Sequence, residues 1–220
     1  MKIANVFVWI LRASFLITFL AGLTEACSCM LHHPQEHYCA ADYVALVKVI
    51  QQAKGDEHMT AYHIKVKKEF KMTEKARHAL SQGLIFTPRT GSLCGRSLKH
   101  TRYLITGRVD GKKAFLSLCD LAMEWTDVTH KQKRGFRRLY QQGCHCKVKN
   151  GMFHRYISRQ QNKNQCLWDT ASFREPHLDC QKLHSFCAPS ARHDNRCVWL
   201  KGRAYRQCMK ERAAQREREP

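Results

Sequence analysis

The chain has 220 residues, with 38 Lys or Arg against 18 Asp or Glu, a formal charge of +20 and twelve cysteines. That length allows one or two domains, and the charge excess favours anionic partners. No His-Glu-x-x-His, Gly-x-Ser-x-Gly or phosphate loop occurs, which leaves out zinc-peptidase, serine-hydrolase and nucleotide-binding chemistry of those kinds.

Residues 1–26 read as an export signal. Lys2 and Arg12 precede an apolar stretch from Ala13 to Leu23, and Thr24-Glu25-Ala26 offers small residues at the last and third-last positions. A membrane anchor needs roughly 20 apolar residues, and this run is too short. A lipoprotein signal would want Leu where Thr24 stands. Cleavage after Ala26 would leave a soluble, exported chain of charge +19 beginning at Cys27, since Lys2, Arg12 and Glu25 depart. All twelve cysteines survive that cleavage and in an oxidising compartment imply up to six disulfides. Zinc binding by the Cys27/Cys29 and Cys144/Cys146 pairs is disfavoured, because structural zinc sites use wider Cys spacings. No Asn lies in an N-glycosylation sequon.

Along the exported chain, Asp42 to Ile50 is nearly all apolar and rich in Val, which predicts a largely buried strand. Gly55-Asp56 marks a turn, after which Tyr62, Ile64 and Val66 alternate with His63, Lys65 and Lys67 as a strand with one basic face. Residues 71–100 read as irregular, with a Pro- and Gly-containing loop from Phe86 to Gly95. Asp110-Gly111 between Tyr103–Gly107 and Ala114–Cys119 signals a hairpin. Val128, Phe136, Leu139 and Tyr140 have helical spacing, with Thr126 or Asp127 as N-cap, Gly143 past the end, and Lys131, Lys133, Arg134, Arg137 and Arg138 on the opposite face. These elements predict a mainly β fold with short helices. Its parts are an N-terminal unit over 27–144, a small disulfide-held module over 145–208, and a disordered charged tail over 209–220.

Cys27-Ser-Cys-Met-Leu-His-His-Pro-Gln35 is followed by Tyr38-Cys-Ala-Ala-Asp-Tyr-Val44. With Cys94-Gly95, Tyr103-Leu104, Gly107, Leu118-Cys-Asp120, Trp125, Tyr140, Gly143-Cys-x-Cys146 and Cys166-Leu-Trp168, this order resembles the tissue inhibitors of metalloproteinases across nearly the whole exported chain. The resemblance implies a five-stranded oligonucleotide/oligosaccharide-binding (OB-fold) barrel with a netrin-like frame, and a smaller β-rich C-terminal domain. It implies the pairings Cys27–Cys94, Cys29–Cys119, Cys39–Cys144, Cys146–Cys197 and Cys166–Cys187. The sequence departs from the family where Gly151 and Tyr156 replace two cysteines. Cys180 and Cys208 are additional, and a bridge between them would keep six disulfides. These changes put in doubt the progelatinase docking that the family assigns to its C-terminal domain.

The resemblance further implies an extracellular inhibitor that is no enzyme and has no cofactor of its own. It would act as a monomer, 1:1 with a zinc metalloproteinase, whether matrix metalloproteinase, adamalysin or astacin. The α-amine and carbonyl of an N-terminal Cys27 would chelate the partner's zinc, which keeps an open coordination position. Ser28 would face the primary specificity pocket, and Cys29, Met30 and Leu31 would continue along the cleft. Gly91, Ser92, Leu93 and Cys94 would lie beside them. Leu31 stands where many members have Pro. His32 or His33 either seats this segment or is simply solvated.

Three other readings compete. A basic secreted ribonuclease would use His and Lys as acid and base, but no spacing singles out a pair. A netrin-like module could bind matrix or signalling proteins without inhibiting; a chain starting at its first cysteine favours inhibition. The cluster from Lys131 to Arg138 raises retention on heparan sulfate in the extracellular matrix, against a solvated helix face. Neither nucleic acid nor a membrane span is an expected partner.

Overall fold

The computed structural model describes residues 27–151, 163–170 and 175–218. The export-signal segment and Tyr156 lie outside them. Helix α1 (Pro34–Ala40) leads into the long antiparallel hairpin of β1 (Tyr43–Ala53) and β2 (Met59–Met72). Helix α2 (Glu74–Ser81) and β3 (Leu84–Pro88) follow, then the hairpin of β4 (Arg102–Asp110) and β5 (Lys113–Phe115), turning at Gly111. Strand order runs β1-β2-β3-β5-β4, and β4 pairs back onto β1, closing a five-stranded barrel; β6 (Ala122–Glu124) adds to β4.

The apolar run of β1 is buried on both faces, for two reasons visible in its alternation. Tyr43, Ala45, Val47 and Val49 join one core cluster with Ile64, Ile85, Ile105 and Leu116. Val44 turns the other way, into a second cluster with Tyr38, Leu104, Phe136, Tyr140 and Phe186. On β2, Tyr62 and Ile64 are buried while His63, Lys65 and Lys67 are exposed, as period-two patterning predicts. Segment 71–100 is more regular than its sequence suggests. Thr73 caps α2 by accepting from the Ala76 amide at 3.3 Å, and Ala76, Ala79 and Leu80 bury one face.

The basic helix also begins later than its Thr126 or Asp127 expectation. Thr129 is the N-cap of α3 (His130–Arg134), in a reciprocal capping box with Gln132. The helix continues as a π-helical turn (Gly135–Leu139) and ends in α4 (Tyr140–Gln142).

Beyond it, β7 (Lys147–Asn150) pairs parallel with β8 (Gln165–Trp168), and β9 (Ser185–Ser190) pairs antiparallel with β10 (Arg196–Lys201). Helices α5 (Cys180–His184) and α6 (Arg203–Arg216) complete the chain. The expected disordered tail from Met209 is therefore corrected: Met209–Arg216 is the second half of α6. Its stripe is narrow, Tyr205, Cys208 and Arg212, but the Cys180–Cys208 disulfide anchors it covalently. The nearly buried Arg212 guanidinium also pairs with Asp169 at 2.8 Å. Charge alternation hides such a face, because one of its buried residues is an arginine covered along its stem.

The two halves meet around a few polar residues. Gln35 is fully buried: its amide nitrogen donates to the Gly143 and Cys187 carbonyls (2.9 and 2.8 Å), and its oxygen accepts from the Cys187 amide at 2.9 Å. Glu36 accepts from the Val148 amide at 2.7 Å. A Cβ at Gly143 would lie 2.2 Å from the Cys187 carbonyl oxygen and 2.7 Å from the Gln35 nitrogen. Gly143→Ala is accordingly expected to lower stability by about 1–3 kcal/mol through overpacking, read as a lower denaturation midpoint. An unchanged midpoint would show that this seam yields freely.

Candidate functional site

From Cys27 to His33 the backbone forms neither helix nor strand, yet it is held at several points. Cys27 is bonded to Cys94 and Cys29 to Cys119, spanning 67 and 90 residues of sequence. The two bridges lie against each other, with Cys94 Sγ 3.7 Å from Cys119 Sγ. All four sulfurs lie within 4.8 Å of one another. That grouping has the look of a metal cluster, but metal ligation requires thiolates, and among the described residues no cysteine is free. The remaining disulfides join Cys39–Cys144, Cys146–Cys197 and Cys166–Cys187.

The loop opposite this segment is a single 3-10 turn, Gly91–Leu93, that leaves Cys94 in left-handed conformation (φ 61°). It can fold so tightly because Gly95 follows: a Cβ there would sit 2.1 Å from the Pro88 carbonyl oxygen. Arg96 then ties the loop to the turn carrying Cys119 and to the start of β6. Its guanidinium donates to the carbonyls of Leu118 (2.9 Å), Asp120 (3.3 Å) and Ala122 (3.3 Å). Ser117 donates to Asp120 through both its amide and hydroxyl at 2.7 Å, and the Leu118 amide donates to the Cys94 carbonyl at 2.7 Å.

Three segments thus form one ridge. Ser28, Gly91 and Ser92 are exposed on it. Met30 (69 % exposed), Leu93 (58 %) and Leu118 (45 %) are half of the six large hydrophobics exposed among the described residues. The two bridges and the Leu118-to-Cys94 hydrogen bond bring the segments carrying these three side chains together. Leu118 and Arg96 did not figure in the sequence-based site; Leu118-Cys119-Asp120 is legible as a motif, but its part in the ridge requires the bridge geometry. Beside the ridge runs a groove of about 470 Å³, lined by Ser28, Met30, His32, His37, Arg108 and Asp120 among others.

Leu31 departs from its expected place. It is half-buried and packs inward on the cluster of Val148, Trp168 and the Cys146–Cys197 and Cys166–Cys187 bridges, so its side chain supports the segment from below. His33 settles the choice left open for the two histidines. It is fully buried among Tyr140, Trp168 and Trp199, all in edge contact, and caps α1 by accepting the Gln35 amide on Nδ1 at 3.2 Å. Its other nitrogen, Nε2, must then carry the proton and donates to the Gln181 carbonyl at 3.2 Å. His32 is exposed.

Burial pushes the His33 pKa down to about 3, outweighing the Gln181 bond that raises it. Between that value and the unfolded value of about 6.5 the unfolded chain binds a proton that the folded chain excludes, so stability is lost as pH falls through this window. His37, lowered to about 4 chiefly by burial and then by His32, acts in the same direction. His33→Asn keeps the capping acceptor and removes the titration. It is expected to reduce the pH slope of unfolding free energy between pH 6 and 4 by roughly 1.4 kcal/mol per unit. Urea titrations at four pH values check this, and an unchanged slope would contradict the assignment.

The closed barrel carries an exposed ridge in which an extended, doubly bridged segment lies beside a clamped loop, so this edge of the module is preformed. The sequence profile described as "Tissue inhibitor of metalloproteinase" matches residues 25–199. Drosophila melanogaster "Tissue inhibitor of metalloproteinase" is 29 % identical over 198 residues, covering 87 % of this chain and 90 % of that one. "Metalloproteinase inhibitor 3" of Scyliorhinus torazame is 30 % identical over 190 residues (84 % and 86 %), and human "Metalloproteinase inhibitor 2" is 32 % identical over 212 (88 % and 91 %). The chain belongs to the tissue inhibitor of metalloproteinase family. These relatives are named as inhibitors, not as enzymes.

Proposed function

We propose that the chain is an exported inhibitor of zinc metalloendopeptidases, and that its exposed ridge occupies the protease's substrate cleft with Cys27 as the first residue. The observation that carries this reading is the pair of abutting disulfides that fix Cys27 and Cys29 to the 94 and 119 segments. They hold the backbone of Cys27 in place without using its amine or carbonyl, which remain the two donors of a five-membered chelate ring. The partner's catalytic zinc supplies the open coordination position. With an α-amino pKa of about 7.7–8.0, part of the free amine is neutral at physiological pH and able to donate its lone pair.

Ser28, next along, presents a short hydroxyl side chain to the specificity pocket, which favours broad selectivity. Met30, Leu93 and Leu118 bury apolar surface on either side of the zinc-binding terminus. Because the ridge is already ordered, little conformational entropy is lost on docking. Export, cleavage after Ala26, and a 1:1 complex follow from the same reading. Its test is the inhibition constant of purified chain starting at Cys27 against one matrix metalloproteinase, one adamalysin and one astacin. Tight inhibition of at least one is expected; absence of inhibition of all three would favour the non-inhibitory netrin-like reading.

A further inference from the structure

Four sulfurs gather where the segments of the ridge meet, and their positions allow more than one pairing. The Cys27–Cys94 and Cys29–Cys119 bridges abut, with Cys94 Sγ 3.7 Å from Cys119 Sγ and all four sulfurs within 4.8 Å of one another. A thiolate exchanges with a disulfide by attacking one of its sulfurs directly, so a thiolate formed at Cys94 has a second bridge in contact. None of the four cysteines is buried, which leaves the group open to a dissolved thiol. The Cys39–Cys144 bridge is the useful comparison: neither of its cysteines is buried, yet it joins no such group among the described residues.

The two sides of the group are not held alike. The segments of Cys94 and Cys119 stay together without any sulfur bond. The Leu118 amide donates to the Cys94 carbonyl at 2.7 Å, and Arg96 donates to the Leu118 and Asp120 carbonyls on either side of Cys119. The segment from Cys27 to Met30 rests on its two sulfurs and on the packing of Leu31. Arg96 also keeps a positive charge beside the sulfurs, while the Asp120 carboxylate is engaged by the Ser117 amide and hydroxyl. A neighbouring cation favours thiolate over thiol and makes a sulfur a better leaving group.

We propose that this group is a thiol-exchange site whose co-reactant is a small dissolved thiol, and that a single opening frees the N-terminal segment from both bridges because Cys94 and Cys119 re-pair with each other. The thiolate of the small thiol attacks Cys27 Sγ, forming a mixed disulfide there and expelling Cys94 as thiolate. Cys94 Sγ then attacks Cys119 Sγ; the Cys94–Cys119 bond forms, the Cys29–Cys119 bond breaks, and Cys29 leaves as thiolate and takes a proton. A second small thiolate attacks the mixed disulfide, giving the oxidised small disulfide and a Cys27 thiolate, which takes the second proton. Two bridges and two small thiols thus become one bridge, two protein thiols and one small disulfide, with two electrons passed to the protein. The barrel keeps a loop closed between residues 25 apart, whereas Cys27 and Cys29 are left on a segment with no bridge. The effect on inhibition rests on the proposed role of the ridge; the exchange itself does not.

The test is incubation of the oxidised chain beginning at Cys27 in glutathione buffers of graded reducing strength. Samples are quenched in acid, alkylated and mapped by peptide mass spectrometry, and inhibition of a metalloproteinase is measured on the same samples. The expected product is alkylated at both Cys27 and Cys29, with the Cys94 and Cys119 peptides joined to each other, while Cys39 and Cys144 open simply as a pair. Samples dominated by that product should inhibit at least roughly tenfold more weakly, because the segment must now be ordered on docking. Alkylation of Cys27 together with Cys94, or of all four cysteines, with no joined Cys94 and Cys119 peptides would overturn the proposal. Failure of the untreated chain to inhibit would count against the inhibitory reading, and the peptide map would still decide the exchange. In Cys29→Ser with Cys119→Ser, the expelled Cys94 has no second bridge to attack and recloses on Cys27. Alkylation of Cys27 in that variant, once its other bridges are confirmed by the same mapping, is expected to need roughly tenfold more glutathione. Equal sensitivity of the two chains would also overturn the proposal.

Discussion

A chain carrying one extra alanine ahead of Cys27 is expected to inhibit metalloproteinases at least a hundredfold less well than the chain beginning at Cys27, with the same thermal stability. The added residue converts the α-amine of Cys27 into an amide, whose nitrogen has no available lone pair, and removes one of two chelating donors. It also places a peptide group where the mature terminus would meet the zinc. A hundredfold corresponds to about 3 kcal/mol, a modest demand for a lost metal ligand. The Cys27–Cys94 bridge is untouched by the addition, so a stability change would mean that the loss came from misfolding. Measuring inhibition constants and denaturation midpoints on the same preparations separates the two. Equal inhibition by both chains would exclude the chelation mechanism.

The second large effect concerns the other bridge. Replacing Cys29 and Cys119 together by alanine opens a loop that, with the Cys27–Cys94 bridge kept, closes over only about 27 residues, which on chain-entropy grounds is expected to lower unfolding free energy by about 3–4 kcal/mol. The functional consequence is separable. The 117–120 segment is still held by Arg96 and by the Leu118 to Cys94 hydrogen bond, whereas residues 28–30 keep only Cys27 and the half-buried Leu31 as anchors. Ordering those side chains on docking then falls to the binding step, at about 0.5–1.5 kcal/mol per side chain, so the folded fraction should inhibit roughly tenfold more weakly. Loss of stability with unchanged inhibition would show that the second bridge serves the fold alone.

Much of this architecture can be read from residue order. The buried β1 and the alternating β2 follow from apolar patterning, and the hairpin from Asp110-Gly111. Other features depend on partners distant in sequence. Thr73 and Thr129 are ordinary threonines until the following turns show them as caps. In sequence His33 is open between seating the segment and solvation, and Gln35 is only part of a motif; the approach of Gly143, Gln181 and Cys187 makes them a buried seam. That seam changes the picture of the site: the second half of the chain supports Leu31 and His33, next to the exposed ridge. Tyr205, Cys208 and Arg212 show the same limit, because an arginine on a buried stripe cannot be distinguished by type from one on a solvated face.

In the proposed complex the backbone of Cys27, and not its sulfur, meets the metal. A crystal structure of the chain beginning at Cys27 bound to a metalloproteinase catalytic domain measures this directly. The Cys27 amine nitrogen and carbonyl oxygen are expected within about 2.0–2.2 Å of the zinc, the usual range for nitrogen and oxygen ligands, with the Cys27–Cys94 bridge intact. A zinc that keeps its water while the ridge docks elsewhere, or one bound by a Cys27 thiolate, would contradict the account.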